Sequence, residues 1–189
     1  MTPPPSAQAA GQHGPGEWVL LSYRLPREPS TPRISVWRKL KRLGVAQISD
    51  GLVALPADAR TREHLEWIAD EVTDAGGNAT IWFARPATLA QERELAAQMA
   101  AARAAEYAAV AARAGQAAEA TEPGSAAALA ALRRLRAELR RIARRDYFPP
   151  AERQHARAAV EALTTGTPAG DAAAEPSPPV PTSQETPQP

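Results

Sequence analysis

Arg33, Arg38, Lys39, Lys41 and Arg42 place five cations within ten residues, with no carboxylate among them. A helix carrying charge of one sign at that density suits phosphates, met along a nucleic-acid backbone or in a major groove. A solvated charged face is the competing reading, because Lys and Arg are ordinary surface residues. A second run is denser: Arg133, Arg134, Arg136, Arg140, Arg141, Arg144 and Arg145 put seven guanidinium groups into thirteen residues against Glu138 alone. Its self-repulsion calls for an external answer. Either an acidic helix over 92–119 supplies Glu92, Glu94, Glu106 and Glu119, or a nucleic acid supplies phosphates.

The residues that usually carry catalysis are scattered. His13, His64 and His155 share no metal-ligand spacing. Ser22 and Ser35 have no base beside them, and no glycine-rich phosphate loop exists. Asp50 with Gly51 is turn chemistry, and Glu66, Asp70 and Glu71 form a solvated face. The chain has no cysteine, which excludes disulfides, thiolate zinc sites and cysteine nucleophiles. No catalytic residue, metal or cofactor is therefore expected, and the chain reads as a non-enzyme.

The elements that must hold these cations follow from periodicity. Residues 18–25 are an apolar run with Trp18, Leu20 and Ser22 on one face and Val19, Leu21 and Tyr23 on the other, a central strand buried on both sides. Pro26, Pro29 and Pro32 impose an extended connection, and Pro32 suits the first turn of a helix. That helix carries Val36, Trp37, Leu40 and Leu43 inward and ends at Gly44. Val45–Ser49 and Leu52–Leu55 flank Asp50-Gly51 as a hairpin. Thr61 is expected to cap a second helix with Leu65, Ile68 and Val72 on one face, ended by Gly76-Gly77. A strand over 78–84 stops at Pro86. Strand, helix, strand, strand, helix, strand is the ferredoxin-like order, a four-stranded antiparallel sheet with both helices on one face, assigned to 17–86.

The rest, 87–165, reads as an α-helical extension. Twelve of the nineteen residues from Ala96 to Ala114 are alanine, which favours a long helix with a thin stripe of Leu95, Met99 and Val110. A loop over 121–125 leads to a helix with Leu129, Leu132, Leu135, Leu139 and Ile142 inward, the second arm of an antiparallel hairpin. A short last helix opens at Pro149-Pro150, with Ala156, Ala159, Val160 and Leu163 inward and Gly166 near its end. The fold class is thus α+β. Of the four tryptophans, core packing is expected for Trp18, Trp37 and Trp82, against a base-stacking platform as the alternative. Trp67 lies off its helix's stripe and points to an interface.

Nineteen prolines in 189 residues are unevenly placed, seven in 1–33 and seven in 168–189. Segments 1–16 and 166–189 hold too few bulky apolar residues to offset ordering entropy and read as disordered tails. Met1-Thr2-Pro3-Pro4-Pro5 lacks the basic start and apolar run of a secretory signal. No segment approaches 18 apolar residues, so a cytoplasmic chain without membrane insertion is expected. The net charge is only +1. Affinity for nucleic acid must then come from local clustering.

Residues 18–26, 33–44, 50–56, 66–72 and 76–80, with Arg145-Asp146-Tyr147-Phe148-Pro149, resemble the N-terminal domain of the ChrB family of chromate-resistance regulators. The resemblance spans about 17 to 165. The first half is similar, more distantly, to the middle domain of PaaX-type repressors and to Cas2-type CRISPR-associated nucleases, all ferredoxin-like. The resemblance implies a transcriptional regulator, expected to be a homodimer, that binds duplex operator DNA. Arg24, Arg33, Arg38, Lys39, Lys41 and Arg42 are then the expected DNA contacts, with the arginines of 133–145 as a secondary patch. Two departures bear on this. ChrB proteins continue into a domain associated with the chromate response, whereas a Pro-rich tail follows here, so sensing is expected to be missing or delegated. The nucleases carry an acidic residue near the end of the first strand, where this chain reads Ser22-Tyr23-Arg24-Leu25, so metal-dependent nuclease activity is not expected. The alternative is a protein-interaction module that assembles with a partner through the C-terminal helices.

Overall fold

The computed structural model describes residues 16–165. The expected disordered tails lie outside that range, apart from Gly16. Four strands, β1 (Trp18–Arg24), β2 (Ala46–Ser49), β3 (Leu52–Pro56) and β4 (Asn78–Ala84), form one antiparallel sheet in the order β2-β3-β1-β4. Helix α1 (Ser30–Leu43) connects β1 to β2, and α2 (Ala59–Asp74) connects β3 to β4. This is the ferredoxin-like arrangement. The hairpin turn is Asp50-Gly51, where Gly51 has φ 74° and an added Cβ would lie 2.4 Å from the Tyr23 carbonyl oxygen. Only glycine fits there.

Strand alternation decides the core. Val19 and Leu21 stand opposite Leu55 and Val53, and this face meets Val36 and Leu40 of α1 and Leu65, Ile68 and Val72 of α2. Leu40 and Leu65 have no exposed surface. Burying each contributes about 1.5–3 kcal/mol, and Leu40→Ala would cost about 2–5 kcal/mol with its cavity. The other face of β1 is covered at one end only. Trp18 stacks on Phe148 with ring centroids 5.9 Å apart, and Leu95 and Met99 pack on the same cluster. Arg24, at the far end, is exposed.

Helices α3 (Leu89–Ala120), α4 (Ala126–Ala143) and α5 (Glu152–Thr165) pack together around a second core of Tyr107, Val110, Leu132, Leu135, Ile142, Ala156, Val160 and Leu163. The alanines of α3 let neighbours approach closely, so a thin stripe suffices. Three expectations need correction. Asp58 is the N-cap of α2, accepting from the Thr61 N–H at 2.7 Å, while the Thr61 hydroxyl accepts from the Asp58 N–H at 2.9 Å; Thr61 is the inner half of a capping box. Leu129 is 47 % exposed because the buried stripe of α4 begins at Ala128, Ala131 and Leu132. Trp82 is 54 % exposed, since no element among the described residues covers it, and Trp67, off its helix's buried stripe, is exposed as well.

Candidate nucleic-acid interface

Helix α1 turns its apolar stripe to the sheet and its cations outward. Gly44, with φ 75°, ends it by donating its N–H to the carbonyls of Leu40 and Lys41. Lys41 and Arg42 in the last turn complement the helix dipole. Arg33, Arg38, Lys41 and Arg42 are exposed, and Lys39 is half-buried. Lys39 is also engaged: its ammonium donates to Glu71 Oε2 of α2 at 2.5 Å, while Ser35 Oγ donates to Oε1 at 3.0 Å. Burial pushes the Glu71 carboxyl up, but the bonds from Lys39 and Ser35 and the charges of Lys39 and Arg42 outweigh it and hold the group below its usual value. Lys41 lies over the Trp37 ring, 4.7 Å from its centroid. Arg33, Arg38 and Arg42 have no ion-pair partner among the described residues.

Each end of α1 opens onto a concave surface. At the N-terminal end Arg24, Arg27 and Arg33 line a hollow of about 850 Å³ with Tyr23, Trp37 and Asp50. Burial, then the Asp50 charge, raises the Tyr23 hydroxyl above its usual pKa, so it stays a neutral hydrogen-bonding group. At the C-terminal end Arg42 meets Arg134, Arg141, Arg144 and Arg145 around a hollow of about 610 Å³. Two basic runs some ninety residues apart in the chain thus become one surface.

Glu138 is the acid of this second hollow, and it is already committed. Its two oxygens accept from Arg113 Nη1 and Nη2 of α3, both at 2.8 Å. The Arg113 hydrogen bonds lower its pKa; partial burial opposes this, and the charges of Arg113, Arg141 and Arg134 lower it further. Arg141 stands 3.7 Å from Glu138. Arg134 and Arg144 have no ion-pair partner among the described residues, nor do Arg133 and Arg140 on the adjoining arc of α4. Arg136 is bound instead to Glu161 of α5.

The acidic helix answers the arginine run in one place only. Of Glu92, Glu94, Glu106 and Glu119, it is Glu106 that meets the run: Arg145 Nη2 donates to it at 2.6 Å and Arg103 Nη2 at 2.9 Å. Arg145 also reaches the Lys41 carbonyl at 3.3 Å, tying the helical extension to the end of α1. A Cβ at position 44 would lie 2.5 Å from Arg103 Nη1. Sequence reasoning missed Arg103, 8 % exposed. Its signal was there: Met99, Arg103, Tyr107, Val110 and Ala114 follow one helical face. Asp146 was missed as well. Its side chain is fully covered, accepting from the Tyr107 hydroxyl at 2.9 Å with Arg153 at 3.5 Å. Burial, helped by Asp146, pushes that hydroxyl up to about 12.

No group of three or more His, Cys, Asp or Glu side chains is placed to hold a metal ion among the described residues. None of the described helices is long and apolar enough to cross a membrane.

Residues 33–123, a little under half of the chain, match the family described as Protein ChrB, N-terminal. Protein ChrB of Cupriavidus metallidurans is 32 % identical over 77 residues, covering 41 % of this chain and 24 % of that protein. The chain therefore matches about a quarter of that relative's length. No solved structure matches. The matched family segment holds all the α1 cations and leaves Arg24 and the α4 arginines outside it.

Proposed function

We propose that the chain, whose residues 33–123 match the ChrB N-terminal family, is a cytoplasmic, non-catalytic transcriptional regulator of the ChrB type that binds duplex DNA. The observation that carries this reading is the joining of Arg42 with Arg134, Arg141 and Arg144 around one hollow whose carboxylate, Glu138, is occupied by Arg113. Guanidinium groups brought together in excess of their counter-charge are suited to the regularly spaced phosphates of a nucleic-acid backbone. Arg33 and Arg38 extend the surface along α1, and Arg24 with Arg27 continues it past the end of β1. Lys39 contributes less than the sequence pattern implies, since Glu71 holds it.

A protein-interaction module built on the C-terminal helices has less support. The apolar stripes of α3, α4 and α5 are spent on one another and on the sheet, leaving Leu89 and Leu129 outside. The deciding measurement is fluorescence anisotropy of labelled duplex DNA titrated with the full chain at several salt concentrations. The expected result is binding whose log affinity falls linearly with log salt, with a slope near −0.9 for each phosphate contacted. Absence of salt-sensitive binding sinks the reading.

A further inference from the structure

We propose that two copies of this chain pair antiparallel through the free edge of β4, with Ile81 opposite Ile81 of the second copy. The two edges of the sheet are built differently. Strand β2 has four residues and a register break between Gln47 and Ser49, and short bulged strands are a standard defence against edge-to-edge pairing. Strand β4 has seven residues in unbroken register with β1 and contains neither proline nor a charged side chain. It packs on β1 and α2. No strand pairs with its outer edge among the described residues, so that edge keeps open main-chain donors and acceptors. Trp82 and Phe83, on opposite faces of the strand, are 54 % and 50 % exposed. An exposed edge of this length and composition is a template for another strand.

The strand's own sequence argues that the occupant is a second copy. A two-fold axis through Ile81 sets Trp82 against Thr80, Phe83 against Ala79 and Ala84 against Asn78. Each large ring then faces a small residue, and no like charges meet across the pair, the conditions under which cross-strand pairs stabilise. An uncharged strand offers nothing to select a charged foreign one. The contact is isologous and closes after two subunits. Two four-stranded sheets become one of eight, and an axis normal to the sheet keeps α1 and α2 of both subunits on the same face. Two basic helices related by a two-fold match a palindromic pair of DNA half-sites. The pairing itself rests on the sheet alone and does not depend on DNA binding.

Sedimentation analysis of the full chain without DNA tests it. The wild type should be a reversible dimer. Thr80→Lys with Trp82→Lys sets lysine opposite lysine twice and should weaken the dimer by at least about tenfold. Thr80→Glu with Trp82→Lys sets opposite charges face to face in the same register and should keep it. Both positions are exposed, and circular dichroism checks that the fold is retained. In this cysteine-free chain Ile81→Cys should give a disulfide-linked dimer on oxidation, whereas Gln154→Cys on α5 should not. A monomeric wild type, a dimer indifferent to the lysine pair, equal losses in both double variants, or no Ile81→Cys cross-link each overturn the proposal.

Discussion

The cations of α1 and those of α4 look alike as strings of letters and meet different fates. On α1, one of the five is drawn into an ion pair, Lys39 to Glu71, and another, Lys41, lies over Trp37; Arg33, Arg38 and Arg42 face solvent. On α4 and the turn after it, three different helices supply the carboxylates: Glu161 of α5 holds Arg136, Glu106 of α3 holds Arg145, and Glu138 of α4 itself lies nearest Arg141. The difference teaches that the density of a charge run says little about its availability. What decides is which carboxylates the fold brings alongside. Of the unpaired arginines, Arg42 of α1 with Arg134 and Arg144 lie around the hollow where the end of α1 meets the end of α4, which makes that junction the functional candidate.

The sharpest way to break this comparison is to remove the unpaired set. Arg42, Arg134 and Arg144 changed together to Ala should lower DNA affinity by about a hundredfold near physiological salt and reduce the salt slope by roughly 0.9 per lost contact. Urea unfolding should place stability within about 0.5 kcal/mol of wild type. Equal DNA binding by this variant would mean that the junction is ordinary surface.

Tyr107→Phe probes the opposite kind of group, polar yet purely structural. Loss of its bond leaves the covered Asp146 short of a donor and should cost about 1–3 kcal/mol in chemical denaturation, with the salt slope of DNA binding unchanged. The pH dependence has a definite sign. A hydroxyl raised to about 12 from an unfolded value near 10 keeps its proton longer in the native state. Stability is therefore fully present below about pH 10 and declines as pH rises towards 12. The Phe variant should lack that part of the decline.

A smaller effect is expected at Glu71. Its folded pKa is lowered, so its contribution is present above the unfolded value near 4.3 and is lost as pH falls through the folded one. Glu71→Gln should flatten the acid limb of the stability profile by less than about 1 kcal/mol, since the pair is partly exposed. The same change frees Lys39 and should strengthen DNA binding slightly, by up to about threefold. Arg136→Ala is the smallest test. Glu161 holds that side chain, and DNA affinity should change by less than about twofold, in contrast to its unpaired neighbours.

Much of the scaffold was legible because it is local. The alternation of residues 18–25, the helical spacing of Val36 with Leu40 and of Leu65 with Ile68 and Val72, and the Asp50-Gly51 turn each depend on residues a few positions apart, and they yielded the ferredoxin-like order. The misread cap is instructive: Asp58 and Thr61 are two halves of one box, and sequence reading kept only the inner half. Leu129 and Trp82 were misplaced because an apolar residue at a suitable spacing is buried only if another element arrives to cover it.

By itself the sequence determined the elements, the sheet order, the buried stripes of the first domain and the presence of two basic runs, all encoded in short-range periodicity. Tertiary structure alone decided which cations remain available and that the two runs meet. The physical reason is range. A hydrophobic period repeats every two or three to four residues along the chain, whereas Arg145 answers to Glu106 and to the Lys41 carbonyl, 39 and 104 positions away, through distances that exist only once the turn after α4 has been brought between α3 and the end of α1.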